Sequence, residues 1–301
     1  MNIFHHSEWE EDYFKNDLFN PSNYNFPVKF LYLKDFDLPK LKEYENKKNV
    51  VVFNRAYQLN ALKEFLDILK PFAVFHLSDE FKSDQKYYDL YSNYPIKILF
   101  HQYNHQINYH LNHFQIPLGY VKYFLNNVDK KSIGNSWGNN LETKQYDFAF
   151  IGSLKNDREL MINKFKSVFT KNYINTGETN WANPKKQAVK PQQMFDFYNK
   201  TIFVPIGRGN VSLDCFRLYE VIVAGAIPVI VGEKDEINNT FNFNGNKPQI
   251  ICSKKWDKAI KLCKNIHNDK NKLTELINSN KKWWDSINNS IIDKIKEAYN
   301  S

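Results

Sequence analysis

The sequence predicts an α/β protein in which parallel sheets are flanked by helices. Three observations predict it. Short apolar runs alternate with stretches of helical periodicity along most of the 301 residues. The stretch from Thr201 to Gly232 reads as a complete strand–loop–helix–strand unit of the doubly wound kind. A polar patch from Asn126 to Lys144, carrying Gly134, Gly138 and several asparagines, breaks the alternation and divides the chain into two lobes, 1–144 and 145–280.

In chain order, residues up to about Pro27 read as an irregular, aromatic-rich lead-in. Strands are expected at Val28–Leu33, Asn49–Phe53, Phe72–Leu77, Ile96–Phe100 and Phe114–Pro117, with a helix from about Gln58 to Leu69. After the polar patch, Tyr146–Ile151 restarts the pattern as a strand closed by Gly152-Ser153. A helix follows from about Asp157 to Phe169, then a loop from Asn175 to Ala188 and a short helix at Pro191–Asn199. Gln249–Cys252 is a late strand. Trp256–Asn268, Lys270–Asn278 and Lys281–Tyr299 are helical, the last with Trp283, Trp284, Ile287, Ile291 and Ile295 at helical spacing.

The central unit carries the chemistry. Thr201–Ile206 is a buried strand, followed by Gly207, Arg208, Gly209 and Asn210. Ser212 stands as the N-cap of a helix from about Leu213 to Ala224, Gly225 ends it, and Ile227–Val231 is the next strand. On a helical wheel the helix is apolar nearly all round; Arg217 and Glu220, with Asp214 to one side, form its polar stripe. Charges on a buried helix need a partner or a ligand. A glycine-flanked arginine ahead of the helix N-terminus favours an anion, for which a diphosphate is the natural occupant. The alternative is an Arg217–Glu220 pair at i,i+3 that satisfies itself. Gly152 and Ser153 lie where a nucleotide approaches the backbone closely, and Asn175-Thr176-Gly177 is placed to border the base.

These residues also carry a resemblance. An apolar strand, Arg-Gly, Asp214-Cys215-Phe216-Arg217-x-x-Glu220 and Ala224-Gly-Ala-Ile-Pro-Val-Ile230 resemble the C-terminal lobe of exostosin-like glycosyltransferases of family 47, especially the ribitol-xylosyltransferase-like branch, which has viral members. The Ser78-Asp79-Glu80 and Ile116-Pro117-Leu118-Gly119-Tyr120 segments resemble that branch too. The resemblance implies the GT-B fold, two Rossmann-like lobes with a cleft between them, and inversion at the sugar. It implies that the 281–301 helix packs back on the first lobe. It further implies that Arg208 faces the diphosphate of a UDP-sugar, with Gly209 in the same loop, that Glu220 takes the ribose hydroxyls, and that Arg217 orients Glu220 or touches phosphate. Arg158 follows the Phe-Ile-Gly-Ser run, as in the resembling branch. Cys215 stands where the family usually has serine. The donor sugar of that branch is xylose and the acceptor a glycan or glycoprotein.

In the first lobe, Asp79 and Glu80 follow a buried strand. Inverting transfer needs one base for the acceptor hydroxyl, and Asp79 is the first candidate with Glu80 second. The competing account is a helix cap formed by Ser78 or Asp79. Arg55 is a surface residue or a contact to acceptor or phosphate. Asp35-Phe36-Asp37 mimics a metal-binding DxD, and His101, His105, His110 and His113 lack the spacing of a zinc site, so no metal is expected.

Composition sets the outer limits. A net charge of +8 points to anionic partners without choosing among nucleotides, nucleic acid and membrane. Three cysteines without metal spacing exclude a disulfide framework. The acidic, aromatic start MNIFHHSEWEEDYF is no signal peptide, and no apolar run spans a membrane. Sequons at Asn199 and Asn210, the second inside the proposed phosphate loop, fit a cytoplasmic life better than a glycosylated one. The rival readings are a surface-polysaccharide transferase using another nucleotide sugar, a basic nucleic-acid-binding protein, and a carbohydrate-binding relative without activity.

Overall fold

The computed structural model describes residues 1–6, 8–54, 59–104, 112–126, 128, 141–177 and 189–301. Arg55, Gln58, His105, His110, most of the 126–144 patch and residues 178–188 of the expected loop lie outside them. The chain forms two compact units, 1–118 with 287–301, and 119–286.

The first unit is built on six parallel strands in the order β2-β1-β3-β4-β5-β6. They are β1 (Asn2–His5), β2 (Lys29–Tyr32), β3 (Asn49–Asn54), β4 (Ala73–Leu77), β5 (Ile98–His101) and β6 (His113–Gln115). In β3, Val50, Val51, Val52 and Phe53 are all buried, as a strand covered on both faces requires. Helix α1 (Leu59–Leu69) buries Leu62, Phe65, Leu66 and Leu69, the i, i+3, i+4, i+7 stripe of an amphipathic helix. A second helix, α2 (Gln85–Tyr91), turns Tyr87, Tyr88 and Tyr91 inward. The lead-in is not irregular throughout: β1 lies between β2 and β3 with Ile3 and Phe4 fully buried. Two apolar residues flanked by asparagine and histidine carry too little periodicity to announce a strand; its neighbours on both sides place it. The C-terminal turns belong to this unit, where Tyr13 Oη donates to Asn288 Oδ1 (2.9 Å) and Tyr299 stacks on Phe26 (3.9 Å).

The second unit has five parallel strands in the order β11-β10-β9-β7-β8. They are β7 (Tyr146–Ile151), β8 (Asn172–Asn175), β9 (Thr201–Ile206), β10 (Ile227–Val231) and β11 (Ile251–Ser253). Helices α3 (Arg158–Lys166), α4 (Pro191–Asn199), α5 (Phe216–Val223), α6 (Lys234–Thr240), α7 (Trp256–Ile266) and α8 (Lys270–Asn300) connect and follow them. The edge strand β8, Asn-Tyr-Ile-Asn, adds to the expected set. The two C-terminal helical stretches are one helix, because the intervening polar residues 279–280 break no backbone bond.

This unit starts at Gly119, well before residue 144. Val121 presents its N–H to the Glu220 carboxylate and the Phe124 ring meets Phe195 edge-on at 5.5 Å, so the chain is already packed here. Helix α5 starts at Phe216, not Leu213, and Ser212 does not cap it. Ser212 Oγ accepts from Asp214 N (3.0 Å), Gly209 N donates to Ser212 O (2.9 Å), and Leu213 and Asp214 are buried, which holds residues 209–214 as a loop. The helix ends as expected at Gly225, whose φ of +71° allows Ala226 N to reach Val221 O and Gly225 N to reach Ile222 O.

Candidate functional site

In the second sheet the strand order reverses between β7 and β9. Doubly wound sheets hold ligands outside the carboxyl ends of their strands at such a reversal, because the chain leaves these two strands in opposite directions and opens a crevice. Gly152-Ser153 and Gly207-Arg208-Gly209 stand there.

Arg217, in the first turn of α5, points back to β7. Its Nε and Nη2 donate to Ile151 O at 3.1 and 2.6 Å, and its guanidinium lies 5.1 Å from the Phe150 ring centre. Gly152, with φ at +147°, makes room for it: a Cβ there would stand 2.3 Å from Arg217 Nη2. Arg158, in the first turn of α3, ties the ends of the two strands together. Its Nη1 donates to Ser153 O (2.9 Å) and its Nη2 to Arg208 O (2.6 Å). A Cβ on Gly207 would stand 2.6 Å from Arg158 Cγ. Arg158 is buried and its Nε has no hydrogen-bond partner among the described residues.

The short hydrogen bonds of both guanidiniums thus go to main-chain carbonyls, not to carboxylates. Burial, and then the charge of Arg217, lower the pKa of Arg158. Two cations held close in a poorly solvated place are unfavourable until an anion joins them. Against the lowering by burial, Tyr198, Cys215 and Glu220 together raise the pKa of Arg217, so Glu220 offsets part of this charge without an ion pair. Arg217 bonds to Ile151, so the self-satisfied i,i+3 pair is not formed. Burial pushes the Glu220 carboxyl up to about 7, against the opposing pull of Arg217 and the Val121 N–H. The phenol of Tyr198, fully buried, is a further and neutral neighbour of Arg217.

The other expected residues divide. Thr176 is exposed, but the neighbouring Asn175 O accepts from Gly152 N (2.9 Å), which keeps this turn beside β7. Cys215 precedes α5 in an extended conformation, its thiol pKa raised by burial. Asp214 accepts from Tyr219 Oη (2.7 Å) and is buried. Arg208 is already engaged: its two terminal nitrogens meet Glu236 at 2.6 and 2.7 Å. Glu236 and Tyr198 escape the sequence reading, because nothing in the local pattern of either helix distinguishes them.

In the first unit Asp79 is 1% exposed and Glu80 half-buried. Asp79 Oδ1 accepts from Ser83 N (2.8 Å) and Oδ2 from Tyr88 Oη (3.1 Å). It pins the turn rather than capping a helix, since α2 begins six residues later at Gln85. His76, Asp79 and Asp84 bring three potential metal-ligand atoms within 4.8 Å of one another. Protein groups occupy them: His76 Nε2 meets Asp84 (2.9 Å), His76 Nδ1 meets Tyr91 Oη (3.0 Å), and Ser83 Oγ donates to Asp84 (3.2 Å). In the DxD-like stretch, Asp37 accepts from Lys40 N (3.0 Å) as an N-cap. His101 and His113 approach each other at 3.3 Å on adjacent strands. Among the described residues no helix is long and apolar enough to cross a membrane.

No family profile matches the chain, and no curated protein is similar to it. Among solved structures the chain is similar to a DNA-modifying enzyme, β-glucosyltransferase, determined in the presence and absence of its substrate uridine diphosphoglucose. The TM-score is 0.53 and the identity 13%, over 100% of both chains. At that identity the likeness speaks for the fold alone: two parallel α/β units of the GT-B class, as the sequence predicted.

Proposed function

We propose that the protein is a glycosyltransferase that takes its sugar from a UDP-sugar, binding the diphosphate at the β7/β9 reversal. The observation that carries this reading is the pair of guanidiniums, Arg158 and Arg217, walled by Gly152 and Gly207 and hydrogen-bonded to carbonyls in place of carboxylates. A diphosphate supplies the missing charge and accepts from the unpaired Arg158 Nε. Arg208 joins it from the same loop. Its pair with Glu236 is about a third exposed on both sides, and such pairs are worth under about 1 kcal/mol, so phosphate oxygens compete with Glu236. Ionised Glu220 accepts the ribose hydroxyls.

The finer reading follows the exostosin-like resemblance: xylose as the sugar, a hydroxyl of a glycan or glycoprotein as acceptor, and inversion by single displacement. Arginines and the N-terminus of α5 neutralise the leaving diphosphate, the task a metal performs elsewhere. Two observations favour a second acceptor, DNA: the net charge of +8 and the DNA-modifying activity of the structural neighbour.

Thermal-shift measurements with UDP-xylose, UDP-glucose, UDP-N-acetylglucosamine and UDP-glucuronate in the presence of EDTA test the donor. A rise in melting temperature with at least one supports the reading, and no shift with any of them contradicts it. Radiolabelled transfer to a glycan and to duplex DNA then separates the acceptors.

A further inference from the structure

The edge of the first sheet carries a pair of histidines that donor binding does not use. Strand β6, three residues long, forms that edge and pairs only with β5 among the described residues. The register sets Leu99 against His113, Phe100 against Phe114 and His101 against Gln115. Side chains alternate along each strand, so His101 and His113 share one face as diagonal neighbours, while Phe100 and Phe114 turn to the other. The backbone beneath them is tied on both sides: Leu99 N donates to Asn112 O (2.9 Å) and Ile116 N to His101 O (2.8 Å). His101 is buried and His113 exposed, so the pair runs from the interior to solvent.

Its geometry suits a metal ion. His101 Nε2 and His113 Nδ1 stand 3.3 Å apart, with the ring centres 5.4 Å apart and the planes inclined at 47°. Zinc sits roughly 2.0–2.1 Å from an imidazole nitrogen, and tetrahedral coordination then separates two such nitrogens by about 3.3–3.4 Å. A hydrogen bond from N–H is typically shorter, roughly 2.7–3.2 Å. The two rings therefore hold the spacing of a chelating pair before any metal arrives. The residues lie on different strands, twelve positions apart in sequence, so the pair falls outside the local spacings that mark zinc sites.

We propose that His101 and His113 bind a borderline transition-metal dication such as zinc, which clamps the edge strand β6 to β5. The proposal is independent of the donor reading and lies wholly within the first unit. The metal is held between His101 Nε2 and His113 Nδ1, in the tautomers that carry their protons on His101 Nδ1 and His113 Nε2, so that both facing nitrogens offer a lone pair. Water on the exposed side of His113 completes the coordination. Imidazole nitrogens suit zinc, nickel and copper(II), whereas magnesium and calcium take oxygen donors, so the pair discriminates against the latter two. A metal bound by the folded chain alone stabilises it by mass action.

The test uses the full chain without a histidine tag at about pH 7.5, where an ordinary imidazole is neutral. Calorimetric zinc titration, and thermal unfolding with zinc or with EDTA, are run on the parent, His113→Ala and His113→Gln. The control is His267→Ala, which removes a half-buried histidine paired with Asp147 in the other unit. The parent is expected to bind zinc and to melt at a higher temperature with it, and magnesium to do neither. Both His113 variants are expected to lose zinc affinity by at least about tenfold, a loss that even outer-sphere partners of a metal can cause, together with the zinc-dependent rise in melting temperature. His113→Gln keeps a hydrogen-bonding side chain, which separates ligation from a hydrogen bond, and its affinity decides if His113→Ala is destabilised in EDTA. His267→Ala is expected to bind zinc as the parent does. No zinc binding by the parent overturns the proposal. So does binding that survives in His113→Gln, that falls as far in His267→Ala, or that magnesium reproduces. UDP titration in EDTA tests the donor reading separately, and its failure leaves this proposal standing.

Discussion

Glu220 links the stability of the second unit to its ligand, and replacing it by glutamine exposes both. Its carboxyl is raised from the ordinary 4.5 to about 7, chiefly by burial. A carboxyl more basic in the folded than in the unfolded chain binds its proton more tightly when folded. The stabilisation is therefore complete below pH 4.5 and lost as the pH rises to 7. At about 1.36 kcal/mol per pKa unit, the change is about 3 kcal/mol. Glu220→Gln keeps the shape and cannot ionise. Urea unfolding followed by tryptophan fluorescence at intervals from about pH 4.5 to 8 should show the variant gaining about 3 kcal/mol relative to the parent across that window, with a constant difference above it. UDP affinity should behave in the opposite sense. The ionised carboxylate accepts the ribose hydroxyls, so parent affinity rises through about pH 7 more steeply than that of the variant, which shares only the titration of UDP itself and is weaker at about pH 8. Parallel stability curves for the two proteins would refute the claim that Glu220 is the buried titrating group.

Gly152→Ala places a Cβ against Arg217 Nη2 at a φ few side chains adopt, and should cost about 1–3 kcal/mol and weaken UDP binding at least tenfold by calorimetry. Asp79→Ala strips acceptors from Ser83 N and Tyr88 Oη and should destabilise the first unit by about 1–3 kcal/mol in urea unfolding, leaving UDP affinity unchanged. Glu236→Gln releases Arg208, so UDP affinity should rise while stability changes by less than about 1 kcal/mol; a fall in affinity would mean that Glu236 aims Arg208 at its ligand.

Much of the second unit was legible because its signals are local. Tyr146–Ile151, Pro191–Asn199, Thr201–Ile206 and Ile227–Val231 are found where apolar runs and turn residues put them. The clustering of Gly152, Arg158 and Arg217 follows from strand–loop–helix units placing each loop at a carboxyl end. What the sequence concealed depends on contacts distant along the chain. β1 is a central strand because β2 and β3 flank it, not because of its own four residues. The engagement of Arg208 comes from Glu236, twenty-eight residues away. The turn-pinning role of Asp79 comes from Tyr88, and the delayed start of α5 from the burial of Leu213 and Asp214. The approach of His101 to His113 needs the β5–β6 register, which no local pattern prints.

The central claim is that two arginines at the β7/β9 reversal, Arg158 buried and Arg217 half-buried, await a diphosphate. Calorimetric titration of the metal-free protein with UDP, UMP and uridine tests it without any substitution. Affinity should fall steeply from UDP to UMP and again to uridine, and the UDP affinity should weaken with added salt. Equal affinities for UDP and uridine, or binding of UDP only after a divalent cation is restored, would contradict it.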